Sequence, residues 1–186
     1  AGLQTAPVTD LRAIPADVRE LIVGADALQS LGDSRPIIGA QSANTALVDF
    51  ARAGGRVLIL EQSALPVGVL PVTLTPNAST MTFPQVPDHP LLKGLEPLDL
   101  KWWRPDNLVS RSEVARPTGG GYRAVMVSGS QAGIAQAPLV ELPVGQGLIV
   151  LCQLRVSERL AVEPAAGVLL QNALDYLPAF QPLAVR

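Results

Sequence analysis

Residues 44–62 read NTALVDFARAGGRVLILEQ, and the rest of the chain is organised around them. Leu47, Phe50 and Ala51 recur at helical spacing, with Asp49 and Arg52 between them. Gly54-Gly55 stops the helix, because glycine takes the left-handed C-terminal conformation without a Cβ penalty. Val57-Leu58-Ile59-Leu60 is then a continuous apolar run. A strand covered by helices on both faces reads this way. The unit is helix, tight turn, buried parallel strand.

Working outward, Glu20–Gly24 (ELIVG) is a second buried-strand candidate that ends at Gly24-Ala25-Asp26. That end lies at the C-terminal edge of a sheet, where ligands of open α/β folds gather. Before it, Val8–Leu11 reads as a short strand and Ile14-Pro15 as a turn, and residues 27–40 as a short helix plus loop. Residues 63–87 carry five prolines with alternating apolar positions, so loop with short extended pieces is expected there. PDHPLLKG at 87–94 is a proline-framed turn with a brief helical start. Arg123–Val127 is a strand, and Pro138–Leu142 and Leu148–Leu151 form a hairpin-like pair around Gly145-Gln146-Gly147. A last helix opens near Pro164, which suits a first turn. Its stripe is Ala166, Leu169, Leu170, Ala173, Leu174 and Leu177, and Pro178 ends it.

The composition narrows the function classes. The chain has 186 residues, 48% hydrophobic and 16% charged, so a single domain (1–186) with a sizeable core is expected and disorder is not. A net charge of -2 gives no basic face for nucleic acid. Arg104, Arg111, Arg116 and Arg123 are interleaved with Asp106 and Glu113. Cys152 is the single cysteine and His89 the single histidine, so neither an internal disulfide nor a Cys/His metal cluster is expected. No metal and no cofactor is expected. No apolar run approaches the roughly 20 residues that span a bilayer. A start without Met or a signal segment suggests a mature or excised piece of a larger protein. The compartment is left open, export as part of a larger protein included.

The candidate chemistry is sparse. Cys152 sits inside a strand-like run and reads as a core thiol. Ser128 and Ser130 lie in VSGSQAG, which does not satisfy the G-x-S-x-G elbow. His89 follows Asp88, so a general base is one reading and a structural hydrogen-bonder the other. Glu61 and Gln62 follow the central strand at its C-terminal edge, where a carboxylate either serves a site or pairs with Arg56 or a loop arginine. Trp102-Trp103-Arg104-Pro105-Asp106-Asn107 is the most function-like segment. Indoles stack on sugar rings, and Arg, Asp and Asn bond hydroxyls. In a strand the two tryptophans would face opposite ways, so at most one serves as a platform.

ELIVGADAL, LVDFARAGGRVLILEQ, DHPLLKGL, LVELPVGQGLIVLCQLRV and NALDYL together resemble the class I glutamine-amidotransferase-like superfamily. The similarity is to the non-catalytic versions attached to glycoside hydrolases, such as the β-galactosidase trimerisation-type domain. WWRPDNLVSR and VMVSGSQAGIAQAPLVE resemble accessory domains of bacterial glycoside hydrolase family 2 proteins. The resemblance implies a cysteine at the turn after the strand matching Val57–Leu60, yet Glu61 or Gln62 stands there. It also implies a His-Glu pair, of which the region near Ser157-Glu158 keeps only the carboxylate. A carboxylate or amide cannot form the glutamyl thioester, so the ancestral chemistry is gone.

The expectations are therefore as follows. The fold is a three-layer α/β sandwich, flavodoxin-like, with a mainly parallel sheet whose first strand is missing or lies upstream of Ala1. The function is a non-catalytic accessory domain that supports a neighbouring catalytic domain, assembles subunits or lends residues to an active-site rim. Its partners would be other domains or subunits of a glycoside hydrolase, and carbohydrate. The alternatives are a standalone hydrolase using Glu61 and His89 at the sheet edge, and a sugar-binding module using Trp102 or Trp103, with Arg104, Asp106 and Asn107 as further contacts.

Overall fold

The computed structural model describes residues 5–28, 43–66, 68–131 and 133–182. The expected helix-plus-loop at 27–40 lies almost wholly outside them. Among the described residues the order is β1 (Glu20–Val23), α1 (Ala43–Arg52), β2 (Arg56–Ile59), β3 (Leu74–Ser79), β4 (Phe83–Pro84), β5 (Ser110–Ala115), β6 (Arg123–Ser130), β7 (Gly133–Val144), β8 (Gly147–Cys152), α2 (Val156–Arg159) and α3 (Pro164–Ala179). Val8–Leu11 is no strand. A 3-10 turn spans Leu11–Ala13 instead, capped by the Asp10 side chain, which accepts from the Arg12 N–H.

The helix–turn–strand unit forms as read. α1 crosses from β1 to β2, and the two strands pair in parallel with Leu21 opposite Val57. β8 joins β2 in parallel, with Ile149 opposite Val57. From there the expectation of a mainly parallel sheet fails. β7 pairs β8 antiparallel, β6 and β5 both pair β7 antiparallel, and β3 and β4 pair β5 and β6 antiparallel. The result is α/β with one open mixed sheet of eight strands, mostly antiparallel. Two-residue connections such as Gly145-Gln146 return the chain antiparallel, whereas a parallel strand needs a long crossover. The sequence holds one such crossover between adjacent strands, through α1.

Alternation along the parallel strands separates two cores. Val57, Ile59, Ile149 and Leu151 turn to one face with Leu47 and Ala51 of α1. Leu58, Leu60, Val150 and Cys152 turn to the other, beneath Ala166, Leu169, Ala173 and Leu177 of α3. Each fully buried leucine there contributes roughly 1.5–3 kcal/mol by leaving water. Pro178 falls within the last turn of α3 and does not end it earlier.

Gly167 in α3 is a case where helix propensity should dominate. A Cβ added there meets nothing within 4 Å. Gly167→Ala is expected to raise stability by about 0.5–1 kcal/mol, because alanine has less backbone freedom to lose. Urea denaturation of the two proteins measures the difference.

Candidate functional site

The C-terminal edge of β1, β2 and β8 is the place where an open α/β sheet collects chemistry. Glu61 and Gln62 leave β2 there, and Gln153 and Arg155 leave β8. Gln62 is 2% exposed. Its Nε2 donates to Gly24 O (2.8 Å) and Leu60 O (2.7 Å), and its Oε1 accepts from Leu28 N (3.1 Å). Its own N–H donates to Gln153 Oε1 at 3.0 Å. Asp26 receives Ser63 N and Oγ at 2.6 and 2.8 Å. Gln62 is thus a tie between three strand ends.

Glu61 is committed through one oxygen, and its Oε2 is buried with no hydrogen-bond partner among the described residues. Its Oε1 accepts from Ser157 N (2.8 Å) and Glu158 N (3.3 Å), at the start of α2. The residue after β2 and the start of α2 thus meet, chiefly through backbone N–H groups. Burial pushes the Glu61 carboxyl above the usual range, against the donors from Glu158 and Ser157. Cys152 nearby is pushed up to about 12, by burial first and by the Glu61 charge second. A thiol held there is neither a nucleophile nor a ligand at neutral pH.

The raised carboxyl makes Glu61 a liability at high pH. A folded-state pKa above the unfolded value contributes most below about 4.5, the ordinary value, and its contribution falls as pH rises through the folded value. Stability measured at pH near 4.5 and again above neutrality should therefore fall more for the wild type than for Glu61→Gln. An equal fall in both proteins would remove this role from Glu61.

Beyond Glu61 lies a cluster of ion pairs. Arg155, buried to 3% side-chain exposure, places Nη1 2.8 Å from both Asp106 oxygens, and its Nη2 2.6 Å from Glu158 Oε2. Arg159 Nη2 reaches both Asp106 oxygens at 2.9 Å. Arg111 Nη1 closes the other Glu158 oxygen at 2.6 Å. Arg155 hydrogen bonding, ahead of the charges of Arg155 and Arg159, holds Asp106 down at about 2. Its stabilising share is present above the ordinary 3.8 and is lost as pH falls toward 2. Asp106→Asn should therefore destabilise at neutral pH and leave the protein less sensitive to acid across that window, as read by denaturant melts.

The two tryptophans part, but not by strand alternation: no strand runs here, and Trp102 sits in a left-handed conformation. Trp103 is fully buried, with its Nε1 donating to Asp99 O at 2.8 Å. Trp102 is 51% exposed and sits at φ 51°, a conformation that a bulky side chain rarely adopts. Arg104 is exposed and donates from Nη2 to Val162 O at 2.8 Å. Asn107, at φ 62°, pairs across the turn with Trp103. Asp106 faces Arg155, at the N-cap of α2, and Arg159, within it, rather than open solvent alone.

His89 lies elsewhere. Its Nδ1 accepts from Leu91 N at 3.2 Å, and its Nε2 lies 3.1 Å from Glu141 Oε1 and 2.9 Å from Arg123 Nη2. Its ring meets Tyr176 edge-on, with centroids 5.1 Å apart. Arg123 donates from Nε to Glu141 Oε2 at 2.8 Å. Burial would raise Glu141, but hydrogen bonds from His89, Tyr176 and Arg123 outweigh it and bring the carboxyl below its ordinary value. Glu61 and His89 do not come within hydrogen-bond reach of each other, and their partners belong to separate groups. The expected dyad is not assembled.

Sequence reading missed Arg155 and Arg159, the hub of the edge. Arg155 stands at the N-cap of α2 and Arg159 is its last residue, just past a strand end. It also missed Glu113. This carboxylate is 0% exposed and is surrounded by Ser110 Oγ, Ser128 Oγ and Asn77 Nδ2, the last at 2.7 Å. Among the described residues no group of His, Cys, Asp and Glu is placed to hold a metal, and no helix is long and apolar enough to cross a membrane.

No protein family matches the chain, and no curated protein matches it in sequence. Solved structures do match in shape. A cytoplasmic protein from Salmonella typhimurium is similar at TM-score 0.57 and 13% identity, over 91% of this chain and 78% of that one. A second cytoplasmic protein, from Salmonella typhimurium LT2, is similar at TM-score 0.50 and 13% identity, over 86% of this chain and 71% of that one. A β-galactosidase from Rahnella sp. R3 is similar at TM-score 0.49 and 10% identity, over 89% of this chain. The matched part is 32% of the β-galactosidase. At these identities the likeness to the two cytoplasmic proteins concerns the fold alone.

Proposed function

We propose that this chain is a non-catalytic, amidotransferase-like accessory domain of a bacterial carbohydrate-active enzyme, serving assembly or the support of a catalytic neighbour. One observation carries the reading. The strand edge where such a fold would do chemistry is closed by its own side chains: Gln62 ties strand ends, Glu61 holds the start of α2, and Arg155, Asp106, Arg159 and Glu158 are paired together. The parallel β1–β2–β8 unit between α1 and α3 is, in this reading, what remains of a flavodoxin-like core. The groups left to solvent are contact groups, with Trp102 and Arg104 foremost.

The test is the mass of the native protein as isolated from its source, intact and under denaturing conditions. A polypeptide much larger than 19.5 kDa, or a tight complex with a second chain, is the expected result. A species of 19.5 kDa with no other chain bound would overturn it.

Exposed Trp102 favours a second reading, a carbohydrate contact. Titration with oligosaccharides should then change Trp fluorescence, and Trp102→Ala should abolish the change. No response at millimolar sugar would end this reading. Trp103 takes no part in it, since it is fully buried.

A further inference from the structure

Arg155 and Arg159 stand just past β8, at the C-terminal edge of the parallel strands, with side chains 3% and 10% exposed. The acid they share, Asp106, is 40% exposed. The cations therefore lie inside, and the carboxylate comes to them from the solvent side. A turn over residues 104–106 brings it there, closed by the bridge between Trp103 and Asn107. Arg155 Nη1 meets both Asp106 oxygens at 2.8 Å, and Arg159 Nη2 meets both at 2.9 Å. Toward Asp106, Arg159 is thus engaged through a single nitrogen. Its Nε is buried with no hydrogen-bond partner among the described residues. A guanidinium holds a carboxylate most firmly through two parallel N–H bonds. Here the second of them, on Nε, goes unused.

We propose that Arg155 and Arg159 form a binding site for a small carboxylate, which Asp106 occupies as a tethered stand-in. The occupant the two arginines already hold fixes the class: a planar group with two oxygens and one negative charge. The incoming carboxylate sets one oxygen against Arg155 Nη1 and Arg159 Nη2 and the other against Arg159 Nε. Asp106 gives way by turning about its side-chain torsions into solvent, where it is already partly exposed, so the turn that carries it stays closed. Two buried guanidiniums without an anion are strongly unfavourable, and Asp106 therefore leaves only in exchange. The incoming group carries the same charge, so the pairs of Glu158 with Arg155 and Arg111 are left as they are. The tether gives Asp106 a high effective concentration, which makes the native site weak for free ligand and the vacated site tighter. The inference goes beyond the accessory-domain reading and does not depend on it.

Nitrogen-15 NMR of the full chain, titrated with sodium acetate against sodium chloride at equal ionic strength, tests it. In the wild type, acetate should shift the Arg159 Nε–H downfield in a saturable way, because that donor gains a partner. It should also speed hydrogen exchange at Leu108 N, which donates to Asp106 Oδ1 at 3.2 Å. Asp106→Ala should bind acetate about tenfold or more tightly than the wild type, since no tether competes. Its melting temperature should rise with acetate and not with chloride. Arg159→Lys, which has no planar fork, should weaken binding about tenfold. Circular dichroism reports whether each variant is folded, and the wild-type titration decides the matter alone if one is not. A wild type in which neither signal responds to acetate at about 1 M, well above the effective concentration of a short tether, overturns the inference. Asp106 would then be a fixed structural partner, even where Asp106→Ala takes up acetate. An equal response to chloride overturns it as well.

Discussion

Gly147→Ala should destabilise the protein by about 3 kcal/mol or more, which for a chain of this size is roughly 6–12 °C in melting temperature. A Cβ at Gly147 would lie within 3.0 Å of Gly55 O and Ala51 O. Both are backbone atoms, and neither can rotate away. Gly55 O accepts Leu148 N at 3.2 Å, so the start of β8 is stitched to the turn that ends α1. A methyl group there must part that stitch or shift α1 off its face of the sheet. The neighbouring Gly145, at φ 58°, approaches Arg52 O within 2.6 Å of an added Cβ and reports the same closeness. Thermal and urea melts of Gly147→Ala beside Gly167→Ala give the contrast, a large loss in one and a small gain in the other. A wild-type melt for Gly147→Ala would mean that the two turns are not in contact in solution.

Glu113→Ala is the second large effect, expected to cost about 3–5 kcal/mol. The carboxylate is buried between β3, β5 and β6 with no cation among its described partners. Hydrogen bonds from Ser110, Ser128 and Asn77 replace hydration at both oxygens. Removing it takes the acceptor from the buried Ser110 and Ser128 hydroxyls, while Asn77 Nδ2 keeps Ser79 Oγ at 3.0 Å. Glu113→Gln should recover most of the loss, since the serine hydroxyls can turn to accept from the new amide. The amide oxygen can take the place of Oε2, accepting from Asn77 Nδ2 and Ser128 Oγ, while its NH2 donates to Ser110 Oγ. Equal losses in Ala and Gln would mean that volume rather than hydrogen bonding sets the cost. Denaturant melts of the two variants and of Ser128→Ala separate these contributions.

Helix and strand were legible wherever burial repeats along the chain. Leu47, Phe50 and Ala51 announced α1, the run Val57–Leu60 announced β2, and Ala166, Leu169, Ala173 and Leu177 announced the buried face of α3. The core placement of Cys152 was legible from its neighbours. The absence of a thiol at Glu61-Gln62 was also plain in the letters, and it is what directs the functional reading away from catalysis.

Other features depended on residues that meet only after folding. Strand direction is one: periodicity reports which side chains are covered, not whether a neighbour runs up or down, so the antiparallel share of the sheet was invisible. The partners of ionisable groups are another. Asp106 meets Arg155 across 49 positions, and His89 meets Arg123 across 34, separations over which charge spacing carries no information. Glu113 looked like one more surface acid among arginines, and only the pairing of β5 with β3, and the approach of β6, buried it. By itself the sequence determined α1, β2, β8 and α3 and their buried faces, because burial patterning is local. Tertiary structure decided strand direction, the closing of the site edge and the face left open, because these are set by contacts between segments distant in the chain.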